Sequence, residues 1–176
     1  GGGEGRGAGG VGGWGGGVGG AGRGVGGWRA CGVGPRALEL LDRSSLDHVR
    51  SRASFTFPED AGAILLLELD GEADGLESAI LRCGELCAEL GASEVIVARD
   101  DADRERLWRT RRLCSSSLRD SHRWKQYEDV VVPTGSIAEL FRRVDQTSGP
   151  VGWPTGTVRH ACTGTPYLTR TRASAP

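Results

Sequence analysis

A domain of mixed strands and helices over residues 35–147, set between two segments without periodicity, is what this chain predicts. Three observations carry that expectation. AGAILLLELDG (61–71) is an unbroken apolar run closed by Asp-Gly, the pattern of a buried strand. DGLESAILRCGELCAELG (74–91) switches at once to a helical stripe of Leu76, Ala79, Ile80, Cys83, Leu86, Cys87 and Leu90. Strand-like and helix-like stretches then continue to alternate as far as Val144.

In chain order, PRALELLD (35–42) predicts a short helix, because Pro35 suits a first helical position that needs no backbone N–H. The strand of 61–71 and the helix of 74–91 follow. Asp74 with Glu77 caps the start of that helix and Gly91 ends it. SEVIVARD (93–100) predicts a second strand. DADRERLWRTRRLCSSSL (101–118) predicts a highly charged helix carrying Leu107, Trp108, Cys114 and Leu118, with Trp108 as a core anchor. YEDVVVP (127–133) predicts a third strand, stopped by Pro133. SIAELFRRV (136–144) predicts a helix with a Ser136–Glu139 capping box and a stripe of Ile137, Leu140, Phe141 and Val144. In 148–176 periodicity is lost, and only TGTVRHACTGTPYLT could contain a strand. This order suits a doubly wound parallel sheet and a split βαβ sandwich equally.

The flanks are of other material. Residues 1–34 hold 20 of the 30 glycines and too little apolar surface to offset chain entropy, so they are expected to be disordered. Three origins are open: a flexible tail, a glycine-rich nucleic-acid or cell-surface segment, or an alanine-rich helix read out of frame. The absence of Met and Asn, with Lys125 the single lysine among 22 basic residues, fits a gene of high G/C content. The glycines follow no strand and open no helix, so they form no phosphate-binding turn.

Net charge is −1 and the pI near 6.4, so no global field draws nucleic acid or anionic membrane to the chain. No apolar run approaches the roughly 20 residues that cross a bilayer. The five cysteines match neither a zinc spacing nor a disulfide framework, and Cys83 and Cys87 suit two buried thiols in a reducing cytoplasm.

Four stretches carry a family resemblance: PRALELLDRSSL, FPEDAGAILLLELDG, RERLWRTRR and KQYEDVVVPTGSIAELFRRV. In order and spacing they resemble the C-terminal domain of FAD-linked oxidases and dehydrogenases of the glycolate oxidase and D-lactate dehydrogenase type. The resemblance implies an α+β, ferredoxin-like split βαβ sandwich with an inserted helix. It implies FAD held mainly by a preceding domain, with this domain closing over the flavin on the substrate side. The implied substrate is a small 2-hydroxy acid. The electron acceptor stays unnamed, and a homo-oligomer is compatible with the family.

By the same resemblance, Arg111 and Lys125 bind the substrate carboxylate. A guanidinium offers two parallel hydrogen bonds, and Lys125 directly precedes YEDVVVP, where the family places a substrate-binding lysine. His160 falls on the first histidine of the family pattern H-x-G-D-G-N-x-H. The implied role is proton acceptor, or ligand to the divalent metal that several members bind. Gly164 retains the second glycine of that pattern, whereas Cys162, Thr163, Thr165 and Tyr167 replace its Gly, Asp, Asn and second His. One imidazole with a phenol is a poor divalent-metal site.

Each residue also has a plain structural role open to it: a solvated arginine beside Arg104, Arg106, Arg109 and Arg112, a surface lysine, a stray histidine. Glu128 and Asp129 are adjacent, so a strand points them to opposite faces, and they make no catalytic carboxylate pair. His48 and His122 match nothing. The reading is thus a fragment of an FAD-dependent 2-hydroxy-acid oxidoreductase, inactive in isolation. A non-catalytic ferredoxin-like binding module with a glycine-rich tail is the alternative.

Overall fold

The computed structural model describes residues 9–14, 35–69, 73–121, 124–148, 155–160 and 165–172. Within them are seven strands: β1 (Gly9–Trp14), β2 (Ala37–Asp42), β3 (Ala63–Glu68), β4 (Ala92–Val97), β5 (Trp124–Asp129), β6 (Thr155–His160) and β7 (Thr165–Arg172). Four α-helices accompany them: α1 (Arg43–Val49), α2 (Ala73–Glu89), α3 (Asp101–Ser121) and α4 (Ile137–Ser148), the last entered through a 3-10 turn at Thr134–Ser136. All seven strands join one sheet in the order β4-β1-β3-β2-β6-β7-β5, and every pairing is antiparallel. The chain is an α+β protein.

Strand β3 shows why its sequence is apolar throughout. Ala63, Leu65 and Leu67 point into one cluster with Leu38, Leu40, Cys83, Cys87, Ile137 and Phe141. Ile64 and Leu66 point into a second with Leu41, Leu46, Val49, Phe57, Leu107 and Cys114. Helices α2 and α4 therefore cover one face of the sheet, and α1 and α3 the other. A strand buried on both faces has no polar side to alternate with. At roughly 25 cal/mol per Å² of apolar surface, these two seams supply most of the stabilisation.

The predicted helix over PRALELLD is not formed. Residues 37–42 are strand β2, paired with β3 along one edge and with β6 along the other. Alanine, leucine and glutamate favour helix locally, but Leu38 through Asp42 are all buried, on both sheet faces at once. A helix could bury only one stripe of them. The helix begins one residue later. Asp42 caps α1, its Oδ1 accepting from Ser45 N at 2.8 Å.

Other elements follow the prediction with shifted ends. Helix α2 buries Cys83 and Cys87 and packs Leu76, Ala79, Ile80 and Leu86 beside them. It ends at Gly91, whose φ of +88° is the left-handed conformation glycine takes without strain. The Asp74 side chain lies outside the described residues. Helix α3 starts under an Asp100 cap, Asp103 N donating to Asp100 Oδ1 at 2.8 Å. Trp108 is only half-buried there, a flank to the core rather than its anchor. In α4, Ile137, Phe141 and Val144 are buried. Glu139 does not close the predicted capping box; its carboxylate accepts from Arg142 and Arg143.

Three further expectations are corrected. Strand β5 covers 124–129 and stops before the valines: Val131 is exposed, and Val132 packs against the α2/α4 cluster. In the region expected to be irregular apart from a strand allowed within TGTVRHACTGTPYLT, two strands form, β6 and β7, whose Thr- and Val-containing segments pair along their lengths. Within the glycine-rich region, Gly9–Trp14 forms β1 between β3 and β4. A glycine backbone carries the same donors and acceptors as any other, and ladders on both sides satisfy them. The rest of 1–34 lies outside the described residues.

Candidate functional site

The junction between β2 and β6 joins the two halves of the sheet and holds the one buried acid–guanidinium pair among the described residues. Glu39 lies on the β2 face that carries Leu41, beneath α3, and is 1% exposed. Helix α3 turns Leu107, Thr110, Arg111, Cys114 and Ser117 toward the sheet, positions spaced three and four apart. From that row the Arg111 Nε donates to Glu39 Oε2 at 3.4 Å.

Its neighbours on α3 behave differently. Arg104 pairs with Asp101, Arg106 with Asp103 and Arg112 with Glu105, all within the helix and toward solvent. Arg111 reaches across to a strand. Its Nη groups hydrogen-bond no described residue.

Removal from water dominates the electrostatics. It raises the Glu39 carboxyl to about 7, although the charge and hydrogen bond of Arg111 pull the other way. The thiol of Cys114, fully buried one turn along α3, is pushed up to about 12 by the same burial. Arg111 opposes that rise, while Asp42 and Glu39 add to it. A Cys114 with this character is an inert core thiol, not a nucleophile.

The register of β2 with β6 sets Glu39 directly opposite His160. Of the three residues expected at the site, Arg111 hydrogen-bonds Glu39, and the backbone position of His160 is the ladder partner of Glu39. Lys125 does not join them. It pairs with Thr171 on β5, an edge strand, whereas His160 pairs with Thr165 at the other end of β7. Six ladder positions along and two strands across separate Lys125 from His160, roughly 20 Å at ordinary strand spacings. Residues 161–164, which hold Cys162, Thr163 and Gly164, lie outside the described residues, as does His122. Tyr167 stands opposite Val158 and Asp129. Among the described residues no group of three or more His, Cys, Asp or Glu could hold a metal ion.

Glu39 itself was not picked out from the sequence. A signal was there: in ALELLD it is the single acid inside an apolar run, and such a residue on a strand must be paired to be buried.

On the same sheet face, the cleft described is an open one of about 210 Å³ between β4 and α3, lined by Phe55, Ile96, Ala98 and Leu107 with Arg99, Asp103 and Arg106 at its rim. Asp103 is already held by Arg99 and Arg106. This volume is below the roughly 300–1,000 Å³ typical of pockets that enclose a drug-sized ligand.

The fold, an antiparallel sheet between two helix layers, is shared with solved proteins. An alkyldihydroxyacetonephosphate synthase superposes with a TM-score of 0.65 over 96% of this chain and 36% of that one, at 12% identity. Residues 25–174 match the family of FAD linked oxidases, C-terminal domain, and the chain belongs to that family. Its cofactor is FAD. The chain is 36% identical over 83 residues to the glycolate oxidase subunit GlcD of Escherichia coli strain K12, which is 47% of this chain and 17% of that subunit. It is 27% identical over 142 residues to GlcD of Bacillus subtilis strain 168, covering 81% of this chain and 30% of that one. With a D-lactate dehydrogenase of Anaerostipes hadrus it shares 29% over 116 residues, 62% of this chain and 24% of that enzyme. The chain therefore spans a sixth to under a third of these relatives.

Proposed function

We propose that this chain forms the substrate-side part of an FAD-dependent oxidoreductase acting on a small 2-hydroxy acid, of the glycolate or D-lactate kind. The observation that carries the reading is the meeting of Arg111 and the His160 position at Glu39, inside a member of the FAD-linked oxidase family. Glycolate and lactate carry a carboxylate next to the carbon that is oxidised. A guanidinium for the first and an imidazole for the proton are the two groups such a molecule needs. Arg111 holds the acid through its outer nitrogens, and His160 takes up the proton. The family's FAD would supply the hydride-accepting chemistry. The order β4-β1-β3-β2, with α2 carrying the chain from β3 to β4 across β1, supports a ferredoxin-like split βαβ unit as the scaffold. Helices α1 and α3 are additions on its other face.

The test is discrimination between acid and amide. Glycolate and D-lactate are expected to bind the chain saturably, and glycolamide and lactamide, which lack the charge, are not. Equal binding of acid and amide, or of neither, would overturn the reading. A second reading, a non-catalytic interaction module, draws on one observation: the Nε of Arg111 already has a carboxylate partner in Glu39. That reading expects no acid binding at all.

A further inference from the structure

We infer that Glu39 is the positioning residue for Arg111, a role that rests on Arg111 being the carboxylate-binding group of this site. Glu39 occupies one edge of the guanidinium and turns the other toward an incoming carboxylate.

An arginine has five donors in a rigid plane, so fixing one edge fixes the direction of the rest. Glu39 takes the Nε from beneath, at 3.4 Å, and is itself 1% exposed, whereas Arg111 is 23% exposed. The acid is anchored in a strand paired on both sides, with Leu66 of β3 and His160 of β6 as the ladder partners of Glu39. It is therefore a far stiffer support than a carboxylate on a loop or helix end. Thr110 and Cys114, both buried, flank Arg111 on α3 and limit its swing. Arg104, Arg106 and Arg112 of α3 lean on carboxylates of their own helix. The strand position that fixes Arg111 is also the ladder partner of His160 on β6.

A residue acting this way matters only through Arg111. In the full chain, Glu39→Ala is expected to weaken glycolate or D-lactate binding by about tenfold, the loss of one charge-assisted contact's geometry. Glu39→Gln retains a carbonyl acceptor for the Nε and is expected to stay within about threefold of wild type. In an Arg111→Lys background, Glu39→Ala is expected to change nothing further. Equal losses from Glu39→Ala in both backgrounds would overturn the positioning role while leaving the acid-binding reading intact.

Should the chain bind no acid, the pair is still testable without ligand, by nitrogen–proton NMR of the arginine Nε–Hε groups. The Arg111 Hε is expected to exchange with water far more slowly than that of exposed Arg99, and Glu39→Gln to keep this protection. An Arg111 signal exchanging as fast as that of Arg99 would overturn the inference. Because wild type and Glu39→Gln carry that comparison, a misfolded Glu39→Ala protein does not decide it.

Discussion

Glu39 is a carboxylic acid kept under a helix, and its proton is the most informative feature of the single-residue chemistry. Burial raises its carboxyl from the ordinary 4.5 to about 7. The folded protein thus holds a proton that the unfolded chain gives up between those values. A raised acid contributes stability that is fully present below pH 4.5 and lost as pH rises through 7. The shift corresponds to roughly 3 kcal/mol at most, since each unit is worth about 1.4 kcal/mol. Urea midpoints measured from pH 5 to pH 8 are expected to fall in the wild type and to stay nearly level in Glu39→Gln. A wild-type midpoint that climbs across this range would contradict the burial argument. Arg111 is the complementary residue. Arg111→Lys keeps the charge but loses the planar fork, and is expected to weaken hydroxy-acid binding at least about tenfold. Lys125→Ala, some 20 Å away by ladder spacing, is expected to leave that affinity unchanged. A Lys125→Ala loss matching that of Arg111→Lys would show that the substrate reaches β5.

Elements were legible in the sequence where one force acted alone, and misleading where two competed. The run ending at Glu68, the stripe of α2 and the stripe of α4 each had a single periodicity, and each formed as expected. PRALELLD carried good helix formers, and the strand won because neighbours on both sheet edges and both faces were supplied from distant parts of the chain. No local reading contains those neighbours. TGTVRHACTGTPYLT was legible only as room for a strand, and two form there for a related reason: pairing of β6 and β7 with each other, and with β2 and β5, supplies what their composition lacks. The candidate site was half legible. Residue types and family spacing pointed to Arg111 and His160, but their shared partner Glu39 sat inside the mistaken helix. Two substitutions test the elements directly. Asp42→Ala removes the α1 cap and is expected to cost about 1 kcal/mol. Gly91→Ala forces a side chain into a left-handed turn and is expected to cost about 1–2 kcal/mol, although nothing lies within 4 Å of the new Cβ. Chemical denaturation reads both, and an unchanged midpoint for Gly91→Ala would mean that the end of α2 readjusts freely.

At the scale of the molecule, one sheet carries two different halves. The β4-β1-β3-β2 half is sealed by leucine on both faces and supplies rigidity. The β6-β7-β5 half is attached to it through the β2–β6 ladder, where Glu39, Leu40 and Leu41 pair with His160, Arg159 and Val158. The candidate site stands at that seam, so the stiff half fixes Arg111 through Glu39 while the other half brings His160. Leu65→Ala, in the middle of the stiff half, is expected to cost about 2–5 kcal/mol. A milder loss would mean that the sheet is less closely packed than its burial implies. No described helix is long and apolar enough to cross a membrane. The central claim is that this seam holds a 2-hydroxy acid by its carboxylate through Arg111. Its most direct test is a calorimetric titration of D-lactate into the wild-type chain and into Arg111→Lys. The account predicts one saturable site in the wild type, weakened at least about tenfold in the variant. No saturable binding in the wild type, or equal affinity in both proteins, would contradict it.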